Sequence, residues 1–270
     1  MIRTEMTFTG ALRGELVKMR RCALTRLHLV CGLSAALAAS AYLTGAPWSP
    51  TRGLDALVQA IGALMPLMCG IVCGMSADGE RAAGALANLT AAPSRGRALA
   101  AKLCALVLQA ASALALALVG AATILSFRDG WTTARIAACG CAGVVLAVAP
   151  LYLLMFALAL RYGRNVAVGV GAAGTLLSFF SVGGLAHGLV TGQLTGATPT
   201  PLGLVPLTWP ARMGSQAAEL IIAQTELPQM AGAIAGQAAF LALACLIALA
   251  LGAAALTIWF RRFEEGRTHE

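Results

Sequence analysis

Few residues of this chain have the types and spacing that enzyme chemistry requires. The only lysines are Lys18 and Lys102, and neither follows the glycine-rich sequence of a phosphate-binding P-loop. The sequence contains neither the G-x-S-x-G motif of a hydrolase nor the H-E-x-x-H motif of a zinc peptidase. We therefore expect no catalytic residue, no metal site and no ATPase site within the chain.

The composition is that of a membrane protein. Of the 270 residues, 59% are hydrophobic and 11% are charged, whereas a soluble domain has roughly 45–50% apolar and about 25% charged residues. Apolar runs of this length cross a bilayer as helices, because lipid offers the backbone no hydrogen-bond partners. We predict an all-α integral membrane protein with six transmembrane helices. The predicted spans are residues 27–43, 56–75, 103–127, 136–160, 166–190 and 232–260.

The charge distribution predicts the orientation of these spans. With the amino terminus inside, the cytoplasmic segments hold fifteen of the nineteen Lys and Arg residues and the outer loops hold four. Such an excess is typical of cytoplasmic segments and argues for membrane orientation, so we expect no nucleic-acid partner. Residues 1–26 form a basic amphipathic arm, residues 27–260 the membrane domain and residues 261–270 a tail, with both termini cytoplasmic.

The predicted spans contain no Asp, Glu, Lys or Arg, and His187 is the one titratable group that we place as a candidate. An ionisable residue within a span is a candidate for the translocation path, and the alternative is a hydrogen-bonded interface residue at the outer boundary. Carriers driven by protons or sodium usually need a buried charge near the midplane of the membrane. Its absence from the predicted spans favours energy supplied by a partner protein.

The outer loop at residues 191–231 contains five of the ten prolines. Within it, residues 217–224 form a short, mostly apolar segment that is too short to span the membrane. We expect an interfacial or re-entrant helix here, between the fifth and sixth spans. A surface helix that caps the bundle is the alternative.

The longest polar interruption is the loop at residues 76–102. We predict that Asp78 caps a short helix that begins at Gly79 and carries Glu80 in its first turn. Leu86 and Leu89 belong to its apolar stripe, and Pro93 disfavours helix at the preceding residue. Ser94 is predicted to cap the next helix, which continues into the third span. Such a helix suits docking in a groove of a cytoplasmic protein, and the alternative is a plain polar hairpin.

This loop resembles the first cytoplasmic loop of type-2 ABC transporter permeases. The resemblance also includes the segment E-L-V-K-M-R-R at residues 15–21. The ending W-F-R-R-F-E-E-G at residues 259–266 is similar to permeases of lantibiotic-immunity and bacitracin-resistance transporters. In the loop, the resemblance is carried by Glu80, Gly84, Leu86, Leu89, Pro93, Ser94, Arg95 and Lys102.

The resemblance implies a membrane subunit that pairs with itself or a sister permease and with two copies of a separate ATPase. The ATPase would bind ATP, so this chain would need no cofactor of its own. The loop would be the coupling helix, and the amino-terminal amphipathic helix would also touch the ATPase. The contact residues carried over are Glu80, Gly84, Leu86 and Leu89, with Arg13 and Lys18 nearby.

The expected function is the export or membrane clearance of an amphipathic peptide antibiotic from a bacterial cell membrane. The candidate residues of the translocation path are His187 and, in the outer loop, Trp209. Export of another hydrophobic compound is the allied alternative. A membrane scaffold without transport activity, or a membrane-embedded enzyme, is the alternative from a different class.

Overall fold

The computed structural model describes residues 6–129, 131–181, 194–195 and 199–263, and these residues are almost entirely helical. The predicted all-α class is confirmed. Two short 3-10 helices, Pro201–Leu204 and Pro206–Thr208, precede the eighth helix. The α-helices are α1 Phe8–Arg20, α2 Ala23–Gly45, α3 Pro50–Ala82, α4 Ala87–Thr90, α5 Arg95–Asp129, α6 Trp131–Tyr162, α7 Arg164–Ser181, α8 Trp209–Glu226 and α9 Pro228–Arg261.

Five of the described helices, α2, α3, α5, α6 and α9, are long and apolar enough to cross a membrane. The chain is therefore a multi-pass membrane protein. Helix α7 contains the first part of the predicted fifth span, and the rest of that span lies outside the described residues. The predicted fifth span, and with it the total of six spans, accordingly stays a prediction.

The helices extend beyond the apolar runs from which the spans were predicted. Helix α3 begins at Pro50 and includes Asp55 and Glu80, and α5 includes Lys102 two turns after its start. All three of these charged side chains are buried. The expectation that the spanning helices carry no buried charge is therefore wrong. A prediction from hydropathy ends a span at the first charged residue. A helix continues as long as its backbone hydrogen bonds form and its polar side chains find partners.

The predicted short helix capped by Asp78 is also wrong. Helix α3 continues through Asp78, whose carboxylate lies 3.5 Å from Arg81 and 3.4 Å from Arg164 instead of capping a helix. The break comes at Gly84, where φ is 151°, a value that side-chain-bearing residues rarely adopt. After this turn the chain forms only the single turn of α4.

Helix α8 is longer than the predicted segment at residues 217–224 and lies inside the bundle, packed on α3, α6 and α9. A Cβ on Gly62 of α3 would lie 2.6 Å from Cα of Ala211, so the two backbones touch there. At the other end of α8, Glu226 pairs with Arg52 at 2.7 Å. These contacts show that α8 runs antiparallel to the first half of α3.

Of the glycine pairs with G-x-x-x-G spacing, only some are at helix contacts. A Cβ on Gly70 would collide with the backbone of Ala167 on α7, whereas Gly232 and Gly236 of α9 have nothing within 4 Å. The pair at residues 184 and 188 lies outside the described residues. Close packing through glycine therefore joins α3 to α7 and leaves this face of α9 open.

We predict that Gly70→Ala lowers the free energy of unfolding by about 1–3 kcal/mol, because the added methyl group overpacks the contact between α3 and α7. Thermal unfolding of the purified protein in detergent measures this effect. The matched control is Gly232→Ala, which we expect to be neutral or slightly stabilising because alanine favours helix and the site is open. Equal melting temperatures for the two variants would contradict the predicted contact.

Candidate functional site: a buried charge cluster under the loop at residues 76–102

Three charged side chains from three helices meet at the base of the loop. Nζ of Lys102 on α5 lies 2.6 Å from Oε1 of Glu80 on α3 and 3.1 Å from Oε2 of Glu15 on α1. Each of these side chains is less than a tenth exposed. Since a buried ammonium group is stable only when paired, the two carboxylates fix Lys102 and join the three helices.

Two further side chains complete the cluster. Nζ of Lys18 lies 2.7 Å from Oε1 of Glu15 and 4.0 Å from Glu80, and its side chain is 49% exposed. The side-chain amide of Asn88, on α4, donates to Oε2 of Glu80 at 3.0 Å. The cluster thus holds both lysines of the chain and two carboxylates, so its formal charges cancel.

Local sequence explains how each member reaches the cluster. In α1, Glu15 and Met19 are one turn apart and are the buried residues of that helix, so its inner face is part acidic and part apolar. Ser94 begins α5 by accepting a hydrogen bond from the backbone N–H of Arg97 at 3.4 Å, as its position predicted. Lys102 then lies two turns into α5, level with the last turn of α3.

The tip of the loop, residues 82–89, presents small residues to solvent and keeps its two leucines inside. Leu86 is fully buried and Leu89 is 1% exposed, so both pack beneath the tip. Positive φ values at Gly84, Ala85 and Leu86 fold the chain back tightly enough to place them there. The residues exposed at the tip are Ala82, Ala83, Gly84, Ala85, Ala87 and Asn88.

The predicted contact residues therefore fall into two groups. Glu80, Leu86 and Leu89 are buried within the chain, whereas Gly84 and, on α1, Arg13 are exposed. The sequence-based interpretation missed Glu15 and Asn88, and it treated Lys102 only as the residue that opens a span. The spacing of Glu15 and Lys18 by three residues on one helix was the available signal for part of the cluster.

The loop also binds the carboxyl-terminal end of α6. Nη2 of Arg81 donates to the backbone carbonyls of Ala159 and Leu160, at 3.1 and 2.9 Å. These carbonyls belong to the last turn of α6, where helical hydrogen bonding leaves acceptors free and a positive charge is favourable. The end of α3 and the end of α6 are thereby joined through one guanidinium group.

Of the two candidate residues of the translocation path, the structure describes Trp209. Trp209 begins α8, is 8% exposed, and donates its indole N–H to the carbonyl of Gly203 at 3.2 Å. It packs in a small apolar cluster with Ala147 of α6 and Cys245 of α9. His187 lies outside the described residues.

Comparison with known proteins identifies one family. The model of the family described as "ABC-2 family transporter protein" matches residues 11–182, nearly two thirds of the chain. The match runs from the fourth residue of α1 to just past the end of α7, and therefore includes the whole charge cluster and the loop above it. A search of curated proteins gave no significant match.

We predict that Lys102→Met lowers the free energy of unfolding by about 3–5 kcal/mol, because it leaves Glu15 and Glu80 buried without their shared cation. Thermal unfolding in detergent at neutral pH measures the loss. Lys18→Met is the matched control, with an expected loss of at most about 1 kcal/mol because that ion pair is half exposed to solvent. A similar loss for both variants would contradict the central position of Lys102.

Proposed function

The chain belongs to the ABC-2 transporter family, and from this premise we propose that it is the membrane permease subunit of an ATP-driven transporter. A separate ABC ATPase supplies the energy, since this sequence has no P-loop of its own. The observation that carries the proposal is the loop at residues 76–102. The buried, charge-neutral cluster beneath this loop joins α1, α3, α4 and α5, and the tip of the loop is compact and exposed.

The exposed tip is the proposed docking surface for the ATPase. Its small side chains allow a partner groove to approach the turn at Gly84 closely, and the exposed Arg13 and half-exposed Lys18 extend the surface along α1. Glu80, Leu86 and Leu89 are buried and act indirectly, by holding the tip against the helices below it. A force applied to the tip is then passed to the helices that the cluster joins.

The proposed arrangement in the membrane has six spans, with both termini on the cytoplasmic side of a bacterial cell membrane. The subunit pairs with a second copy of itself or with a sister permease. Helix α8 is re-entrant in this arrangement. Its start lies beside Gly62, which is twelve residues, or roughly 18 Å of helix, from the outer end of α3 at Pro50.

The proposed substrate is an amphipathic peptide antibiotic, which the transporter exports or clears from the membrane. An apolar groove of about 410 Å³ between α6 and α9, lined in part by Leu154, Gly252 and Trp259, suits the apolar side of such a peptide. His187 and Trp209 stay the proposed residues of the path. The same groove also suits another hydrophobic compound, which is the second candidate substrate.

We predict that the double variant Ala83→Arg, Ala87→Arg reduces co-purification of the ATPase at least about tenfold, because two long cations replace small exposed side chains at the proposed contact. Pull-down of the tagged membrane complex measures this, with thermal unfolding as a check of folding. Gln224→Arg, exposed at the other end of the bundle, is the control. Normal ATPase recovery with the tip variant would overturn the docking proposal.

We predict that deletion of the gene sensitises cells to at least one cationic amphipathic peptide, because clearance from the membrane is lost. Growth inhibition across a panel of lantibiotics and bacitracin measures this, together with a panel of uncharged hydrophobic compounds. Restoration by the wild-type gene is the control. Sensitivity to the uncharged compounds alone would assign the second candidate substrate instead.

A further inference from the structure

The last helix, α9, is packed closely at its two ends and is less covered between them. At its outer end it contacts α8, and at its inner end Phe260 is fully buried. Between these contacts, one apolar groove of about 410 Å³ lies against α6 and another of about 410 Å³ lies against α1 and α5. In the most apolar 18-residue stretch of α9, 17% of the residues are buried, compared with 56% in the corresponding stretch of α6.

One side chain of the cytoplasmic loop binds the inner end of α9. Nη1 of Arg95 donates to the backbone carbonyls of Arg261 and Phe263, each at 3.2 Å. Nε of the same residue donates to the carbonyl of Thr90, at the end of α4, at 2.6 Å. A single guanidinium group therefore joins the carboxyl-terminal ends of α4 and α9, where free carbonyls and the helix dipole favour a cation.

The inner ends of α6 and α9 depend differently on the loop. Arg81 donates hydrogen bonds to the last turn of α6. However, α6 also packs along most of its length on α3, α5 and α8. Its position is therefore set by packing as well. Helix α9 is less covered by neighbouring helices than α6, so the contacts at its inner end weigh more. Among the described residues, Arg95 joins that end to the tip-bearing loop by side-chain hydrogen bonds.

We propose that Arg95 is a positioning residue that makes the inner end of α9 follow the cytoplasmic loop. A displacement of the tip moves α4, Arg95 transmits it to the carbonyls at the end of α9, and the two flanking grooves change width. The physical coupling stands on the contacts alone. Its role in transport rests on the proposed function, because only a partner ATPase would drive the displacement.

A double-mutant cycle on the full chain in nanodiscs tests this coupling by hydrogen–deuterium exchange of residues 258–263. Gly84→Ala displaces the loop, because φ of 151° is unfavourable for alanine, and Arg95→Gln removes the link. We expect Arg95→Gln to speed exchange on the order of tenfold, as loss of charged hydrogen bonds does. Gly84→Ala should also speed it, but only while Arg95 is present.

The control is Arg97→Gln, which removes the same charge one half-turn away, where Arg97 bonds the carbonyl of Met6 at 2.7 Å. It should leave exchange at residues 258–263 unchanged. Arg95→Lys should fall between wild type and Arg95→Gln, since one ammonium replaces a forked donor. Unchanged exchange in Arg95→Gln, or additive effects of the two substitutions, overturns the proposal. No ATPase is present, so this outcome is independent of the docking experiment.

Discussion

The pairing of Lys102 with Glu80 is the constraint on which the half of the protein around the loop at residues 76–102 depends. A lysine two turns inside α5 is buried by the helices around it and cannot stay charged there without a partner. Glu80 meets it at 2.6 Å, which fixes the end of α3 against the start of α5. The chain between them must then double back tightly, and Gly84 makes that turn possible. Glu15 joins the same cation and thereby brings α1 onto the bundle.

A second polar contact organises the opposite half of the bundle. Gln59 of α3 donates to Asp55 at 2.9 Å and to Ser215 of α8 at 3.0 Å, and all three side chains are buried. Polar groups enclosed in an apolar bundle are tolerated when they bond one another, so these residues align α8 with α3. Buried ionisable side chains, Asp55 and Glu80, lie near the two ends of α3, while its centre packs through small residues on α7. Family membership rests on residues 11–182, so α8 and α9 extend beyond the matched part.

The arginines of the loop give the tip its connections to the longer helices. Arg81 binds the end of α6 and Arg95 binds the end of α9, in both cases through carbonyls that a helix leaves free. The tip itself exposes only small residues. As the proposed docking surface, a tip with small side chains and hydrogen-bonded attachments beneath it suits the transfer of force rather than the binding of a small molecule.

The sequence by itself determined the all-α membrane class, the positions of the apolar helices and the presence of a polar loop at residues 76–102, because hydropathy and helix-breaking residues are local signals. Ser94 as the start of α5 belongs with these. Only the tertiary structure decided that Asp55, Glu80 and Lys102 lie on the long helices, and that Leu86 and Leu89 point inward. The physical reason is that burial of a charge depends on partners distant in sequence: Glu15, Glu80 and Lys102 come from three helices, and no local pattern places them together.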